Sequence, residues 1–375
     1  MTKAVTRPSK ARTYATYLDM VTEPLIPSVA DERMTEDAVG TIGTIALGDA
    51  VPPPAGIEIP MERPQPGFDI SLGYASAFGN KSAIHAATNC AWNDSSRAFA
   101  SVGAIEASDC FLWAQLDNFW FEFDLREPQT VAASVYFSPI PALGEEQEAG
   151  RSGSGALRKL APQQIDSACA GFERLIGDFN ADDRAILIGM MRAYESTKPT
   201  ILCGAMRGRR PVAVRLVLAF EDIPEAAAYL RKIGLAGHDD ALRSVQDSYG
   251  DLTKWVLLGI TPLEPDSHKI GLELYAPNGW MRHNGDDRRL INRMVEGGHC
   301  HPVIAQAILD YPGVQVVATG HERWPVVPRR DGFAKSSTRY PVCVRRFHHV
   351  KLTLNRGENT QFKAYLASHF QWCRV

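Results

Sequence analysis

The order of elements along this 375-residue chain predicts an α+β fold, in which antiparallel strand pairs are covered on one face by helices. Apolar and polar residues alternate in successive strand pairs, and helical spacing takes over between them. The order strand, strand, helix, helix then recurs three times before a last strand pair. A unit repeated in this way outweighs any single motif. Left open, such a sheet would have one wet polar face. Closed on itself, it would turn that face onto a central chamber.

Residues 1 to about 60 carry Pro, Thr, Ala and charge, including the PPPAG run of Pro52 to Gly56, without sustained periodicity. An extended or partly disordered arm is expected there. Strands are expected at 69–77 and 97–104. Residues 116–125 (LDNFWFEFDL) set Phe119, Phe121 and Phe123 against Trp120, Glu122 and Asp124. Beyond a turn at Pro128, a second strand covers 131–138, and a Gly/Ser/Glu-rich loop fills 144–155. Pro162 opens a helix with Ile165, Cys169, Phe172 and Ile176 at helical spacing. Another starts near Asp182 and must stop before Pro199.

The pattern repeats with strands at 201–207 and 212–220, a helix from Pro224 that Gly234 ends, and a helix from Asp240. The latter sets Leu242, Val245, Tyr249 and Leu252 on one face. A third strand pair, 255–261 and 269–276, precedes helices at 288–296 and 302–310, and 314–340 is read as irregular. The chain ends in a hairpin over 347–369. Val350, Leu352 and Leu354 alternate there with His349, Lys351 and Thr353, and Phe362, Ala364 and Leu366 with Lys363, Tyr365 and Ala367.

The polar faces of these strands carry Trp120, Glu122, Asp124, Ser134 and Tyr136 on the first pair and Arg215 on the second. The third carries Lys269, Glu273 and Tyr275. The last carries His349, Lys351, Thr353, Lys363, Tyr365 and His369. Taken singly, a Lys or Glu at alternate strand positions belongs to a solvated face, its ion pairs worth under ~1 kcal/mol each. The set reads differently. Trp120, Tyr136, Tyr275 and Tyr365 share those faces, and a wetted surface has no need of so many large rings.

This layout resembles the αββα-barrel aromatic prenyltransferases, the ABBA or PT-barrel family, in element order over roughly 100–375 and in its inward-facing residues. The resemblance implies an antiparallel β-barrel built from repeated αββα units with helices outside, as a single domain over 61–375. It also implies transfer of an allylic group from its diphosphate to an electron-rich acceptor, an aromatic ring or a peptide side chain, in secondary metabolism. Lysines and arginines held in a low-dielectric chamber stabilise the leaving diphosphate. Ring faces carry negative quadrupole density and shield the allylic cation. On that basis Glu122, with Glu273 second, is the candidate carboxylate assisting the acceptor. Trp120, Asp124, Tyr136, Arg215, Lys269, Tyr275, His349, Lys351, Lys363 and Tyr365 are the candidate substrate-binding residues. No metal or other cofactor is required under this resemblance, the allylic diphosphate being a co-substrate. The alternative is a barrel that binds a peptide or small anionic ligand in a cationic chamber without prenylating it.

Other features carry less. Three Asp-Asp pairs, at 182–183, 239–240 and 286–287, stand at expected helix starts, where carboxylates cap free amides. His299-Cys300-His301 lacks a second ligand cluster, and an interhelical turn is expected. The GRSGSG stretch at 150–155 has no following Lys-Ser or Lys-Thr, and the basic stretch 206–211 is expected to be a polar turn. Formal net charge −3 and a pI near 6.4 do not call for nucleic acid. No apolar run reaches the ~18 residues that cross a bilayer. The basic N-terminus lacks a signal-like apolar centre, and seven cysteines without paired spacing fit reduced thiols, so a cytoplasmic protein is expected.

Overall fold

A computed structural model of the chain describes residues 21–25, 54–63, 68–74, 116–123, 134–139, 157–176, 179–197, 199–206, 212–264, 269–277, 285–316, 339–355 and 360–374. The strands are β1 (Ala55–Pro60), β2 (Asp69–Tyr74), β3 (Leu116–Phe123), β4 (Ser134–Pro139), β5 (Arg158–Lys159) and β6 (Glu195–Ser196). They continue with β7 (Ile201–Met206), β8 (Ala213–Phe220), β9 (Trp255–Ile260), β10 (Lys269–Tyr275), β11 (Gly313–Val316), β12 (Arg339–Asn355) and β13 (Gln361–Arg374). The helices are α1 (Pro162–Leu175), α2 (Ala181–Ala193), α3 (Ile223–Lys232), α4 (Asp239–Tyr249), α5 (Asp286–Glu296) and α6 (Pro302–Asp310).

Ten antiparallel strands close into a ring, in the order β1, β2, β3, β4, β7, β8, β9, β10, β12, β13. Pairing of Ile57 with Leu366 and of Glu58 with Tyr365 joins β1 to β13. Pairing of Leu272 with Leu352 and of Glu273 with Lys351 joins β10 to β12. The long β12 reaches further, and its first half also holds β11. Strands β5 and β6 form a separate pair. Of the two options left by the alternation of polar and apolar residues, the sheet takes the closed one.

The outer face of the ring is apolar and is buried under the helices. Phe119, Phe121, Phe123, Leu216, Leu258, Leu272 and Leu352 are fully buried on that face. The helices supply matching apolar stripes, with Ile165, Cys169 and Phe172 on α1, Leu242 and Val245 on α4, and Leu290, Ile291 and Met294 on α5. On β4, Phe137 sits between layers, its ring centroid 5.4 Å from Phe172 of α1 and 6.5 Å from Phe119 of β3. Phe137→Ala is expected to cost about 3–5 kcal/mol of stability, read as a lowered urea midpoint at unchanged slope.

The aspartate pairs stand at helix starts, as expected. Asn180 Oδ1 accepts from the amides of Asp182 and Asp183 at 2.9 and 3.0 Å, and Asp183 accepts back from the Asn180 amide. Asp239 and Asp240 lie in the first turn of α4, and Asp286 and Asp287 in that of α5. His299 to His301 form the turn between α5 and α6, where His301 Nδ1 caps α6 by accepting from the Val303 amide.

Some boundaries differ from expectation. Ala55–Pro60, assigned from sequence to the arm, is a wall of the barrel, and Val21 and Leu25 are buried in the core. Strand β11 falls in the stretch read as irregular. The final hairpin is longer than 347–369, because β12 starts at Arg339 and β13 reaches Arg374. The strand expected at 97–104, the loop at 144–155 and residues 207–211 lie outside the described residues. No helix among the described residues is long and apolar enough to cross a membrane.

Candidate active site

The inner faces of the strands enclose a chamber of about 670 Å³. Arg215, on β8, lines it. Arg215 pairs in register with Gly204, and on the other side its guanidinium reaches over Gly259 of β9 and Gly271 of β10. A Cβ on Gly259 would stand 2.7 Å from Arg215 Nη2, and one on Gly271 closer still. Glycine at both positions leaves the guanidinium room against that wall, and a Cβ there would make it shift. Gly271→Ala is therefore expected to fold with the Arg215 guanidinium displaced, as checked by a crystal structure of the variant.

Lys351, on β12, reaches the same space. Its Nζ donates to Tyr365 Oη at 3.0 Å. Burial, then Arg215, lower the Lys351 pKa, while Glu58, Glu122 and Glu273 oppose them. Burial also acts to lower Arg215, but Tyr136, Glu273, Glu122 and Glu58 more than offset it, and the net shift is upward. Arg215 thus stays charged.

Aromatic rings form a continuous wall. Trp255 stacks on Tyr275 at 3.8 Å, Tyr275 lies 4.7 Å from His349, and His349 stacks on Tyr365 at 4.3 Å. Across the chamber, Trp120 pairs in register with Tyr136. Burial, reinforced by Glu122, raises the Tyr136 phenol far above its usual range, and burial with Glu273 does the same to Tyr275. Tyr275 Oη donates to Glu273 Oε2 at 3.2 Å.

A β-bulge between Phe347 and His349 turns two consecutive histidines onto the chamber. Their Nδ1 atoms are 2.6 Å apart. His349 Nε2 stands 3.4 Å from Glu273 Oε2, within ion-pair range but without hydrogen-bond geometry. Burial lowers both imidazoles well below their ordinary pKa, with His349 and Arg346 adding to the effect on His348 and Lys351 to that on His349.

Solved structures share this architecture. The apo form of the prenyltransferase PriB matches with a TM-score of 0.52 at 13% identity, covering 95% of this chain and 94% of that one. AnaPT from Neosartorya fischeri matches with a TM-score of 0.52 at 12% identity, covering 96% and 94%. The chain has the αββα-barrel fold of the aromatic prenyltransferases. No protein-family model and no curated protein matches the sequence. At these identities the likeness is one of fold.

Within the αββα barrel, nine of the twelve candidate residues line the chamber: Trp120, Glu122, Tyr136, Arg215, Glu273, Tyr275, His349, Lys351 and Tyr365. Lys363 does not; its ammonium is paired with Glu58. Lys269 does not either, since it is exposed at the first position of β10, opposite Asn355. Alternation gave its face correctly, but the strand end projects past the chamber. Asp124 lies outside the described residues.

Sequence reasoning missed Glu58 and Asp69, which line the chamber from β1 and β2. Gly-Ile-Glu-Ile-Pro at 56–60 alternates as a strand should, but it directly follows the proline run. It also missed His348, because a bulge breaks the period-two rule and leaves no mark in the residue pattern.

Proposed function

We propose that this protein transfers an allylic prenyl group from its diphosphate to an electron-rich acceptor, aromatic or peptide side chain, in secondary metabolism and without a metal requirement. The observation carrying this reading is the convergence of Arg215 and Lys351 in a chamber walled by Trp120, Tyr136, Tyr275 and Tyr365. The same fold in PriB has been solved in complex with product diphosphate, at a TM-score of 0.50 and 13% identity, which supports placing an anion in such a barrel.

The chemistry follows from these groups. As the allylic C–O bond breaks, its electron pair passes to the diphosphate, where Arg215 and Lys351 stabilise the growing charge. The allylic cation lies against ring faces, which attract it without a lone pair to trap it. The acceptor attacks, and the proton it then loses passes to a carboxylate, Glu122 first and Glu273 second.

The test is thermal stabilisation by dimethylallyl and geranyl thiolodiphosphate, whose carbon–sulfur bond resists ionisation. A ligand bound only by the folded state at 100 times its Kd adds about 2.7 kcal/mol. A flat response across the series would overturn the donor site. Stabilisation with no diphosphate release from the oxygen donors, whatever acceptor is offered, would leave a ligand-binding barrel instead.

A further inference from the structure

A diphosphate entering this chamber meets an unfavourable charge balance. Among the described residues, Glu58, Asp69, Glu122, Glu221 and Glu273 line it, against Arg215, Lys254 and Lys351. Lys363 offsets Glu58. A multiply charged anion buried there needs further positive charge, since an uncompensated buried charge is costly. Of the side chains lining the cavity, imidazole is the type whose ordinary pKa brings it to charge near neutral pH.

The bulge in β12 places two of them where the charge is needed. With Nδ1 atoms 2.6 Å apart, one ring must donate to the other, so the neutral pair shares one hydrogen along that line. His349 is stacked on Tyr365, whose hydroxyl is bonded to Lys351 Nζ, so the pair adjoins one of the cations that line the chamber. The charged and titratable groups facing the pair are Arg346 and Lys351 on its own strand, Glu273 and Tyr275 from β10, Tyr365 from β13 and Glu58 from β1. Burial and the neighbouring cations favour the neutral form of both rings, while Glu273 favours charge on His348 and Glu58 on His349.

Resting on the donor site proposed above, we infer that the His348–His349 pair takes up a proton as the diphosphate enters and becomes a third cation of that site, beside Arg215 and Lys351. The proton comes from solvent and returns to it when the diphosphate leaves. Charge is thereby supplied only while there is an anion to meet it.

Calorimetric titration with dimethylallyl thiolodiphosphate near neutral pH, repeated in buffers of different ionisation enthalpy, reads the protons taken up per ligand bound. The expected result is uptake of about one proton by the wild type and its loss in H348F/H349F, whose rings keep the stack on Tyr365. The wild-type affinity then falls by up to about tenfold per pH unit as pH rises, and more steeply than that of the variant, which controls for ionisation of the ligand itself. Should the variant not fold, the ring nitrogen chemical shifts of His348 and His349 in the wild type must move to imidazolium values on adding ligand. Binding without proton uptake, binding that depends instead on Mg²⁺, or uptake unchanged in the variant would each overturn the pair alone. No binding of the thiolodiphosphate would overturn the donor site itself, and the pair's role with it.

Discussion

Arg215→Gln is expected to lower allylic diphosphate turnover by about 10²–10³-fold, the range for removing one preorganised group that stabilises transition-state charge. Arg215 is coupled to groups on several walls of the chamber. Its charge is set against Tyr136, Glu273, Glu122 and Glu58, and its planar head is fitted over Gly259 and Gly271. Glutamine keeps hydrogen-bonding groups but is shorter and removes the charge. It also leaves three carboxylates with less countercharge, so some loss of stability accompanies the loss of rate. Arg215→Lys separates the two effects. It restores the charge balance and hence the melting temperature, but a lysine lacks the fork that contacts two anionic oxygens at once, and its recovery of turnover is expected to be partial. The measurement is diphosphate release by folded protein alongside thermal melting. Turnover of Arg215→Gln at the wild-type rate would remove Arg215 from the donor site.

How much of this was legible in the sequence divides along one physical line. Alternation reports which face a side chain takes, because successive residues of a strand point to opposite sides. The shared face of Trp120, Tyr136, Arg215, Glu273 and Lys351 was therefore legible from spacing. Alternation does not report height along the barrel axis, so Lys269 was placed inside although it stands at an exposed strand end. Nor does it report pairing across strands far apart in sequence. That Lys363 is held by Glu58, some three hundred residues earlier, depends on closure of β1 onto β13. Closure itself is a property of the whole ring, and no local pattern encodes it. The bulge that turns both His348 and His349 inward is the converse case, a local irregularity that the repeating rule conceals.

Glu122→Gln is expected to lower prenyl product formation by about 10²–10⁴-fold, the usual worth of a positioned general base, while donor affinity is unchanged or tighter. The two effects have opposite signs for an electrostatic reason. Glu122 acts on both Arg215 and Lys351, so neutralising it leaves those cations more positive towards a diphosphate. Its place in the ring makes it the better candidate than Glu273. Glu273 pairs in register with Lys351 and is bonded by Tyr275 Oη, which puts it on the cationic side. Glu122 sits on β3 between Ser71 and Ser134, four strands round the ring from Lys351 in one direction and six in the other. Glu122 thus stands further round the ring from Lys351 than Glu273 does, which makes it the better placed of the two to take an acceptor's proton. Glu273→Gln should act the other way, changing donor binding more than the chemical step. The check is kcat against KM for the donor in both variants, with acceptor-free hydrolysis of the donor as a reference that needs no acceptor base. If Glu122→Gln slowed hydrolysis and transfer alike, Glu122 would be supporting ionisation, and the carboxylate serving the acceptor would have to be sought elsewhere in the chamber.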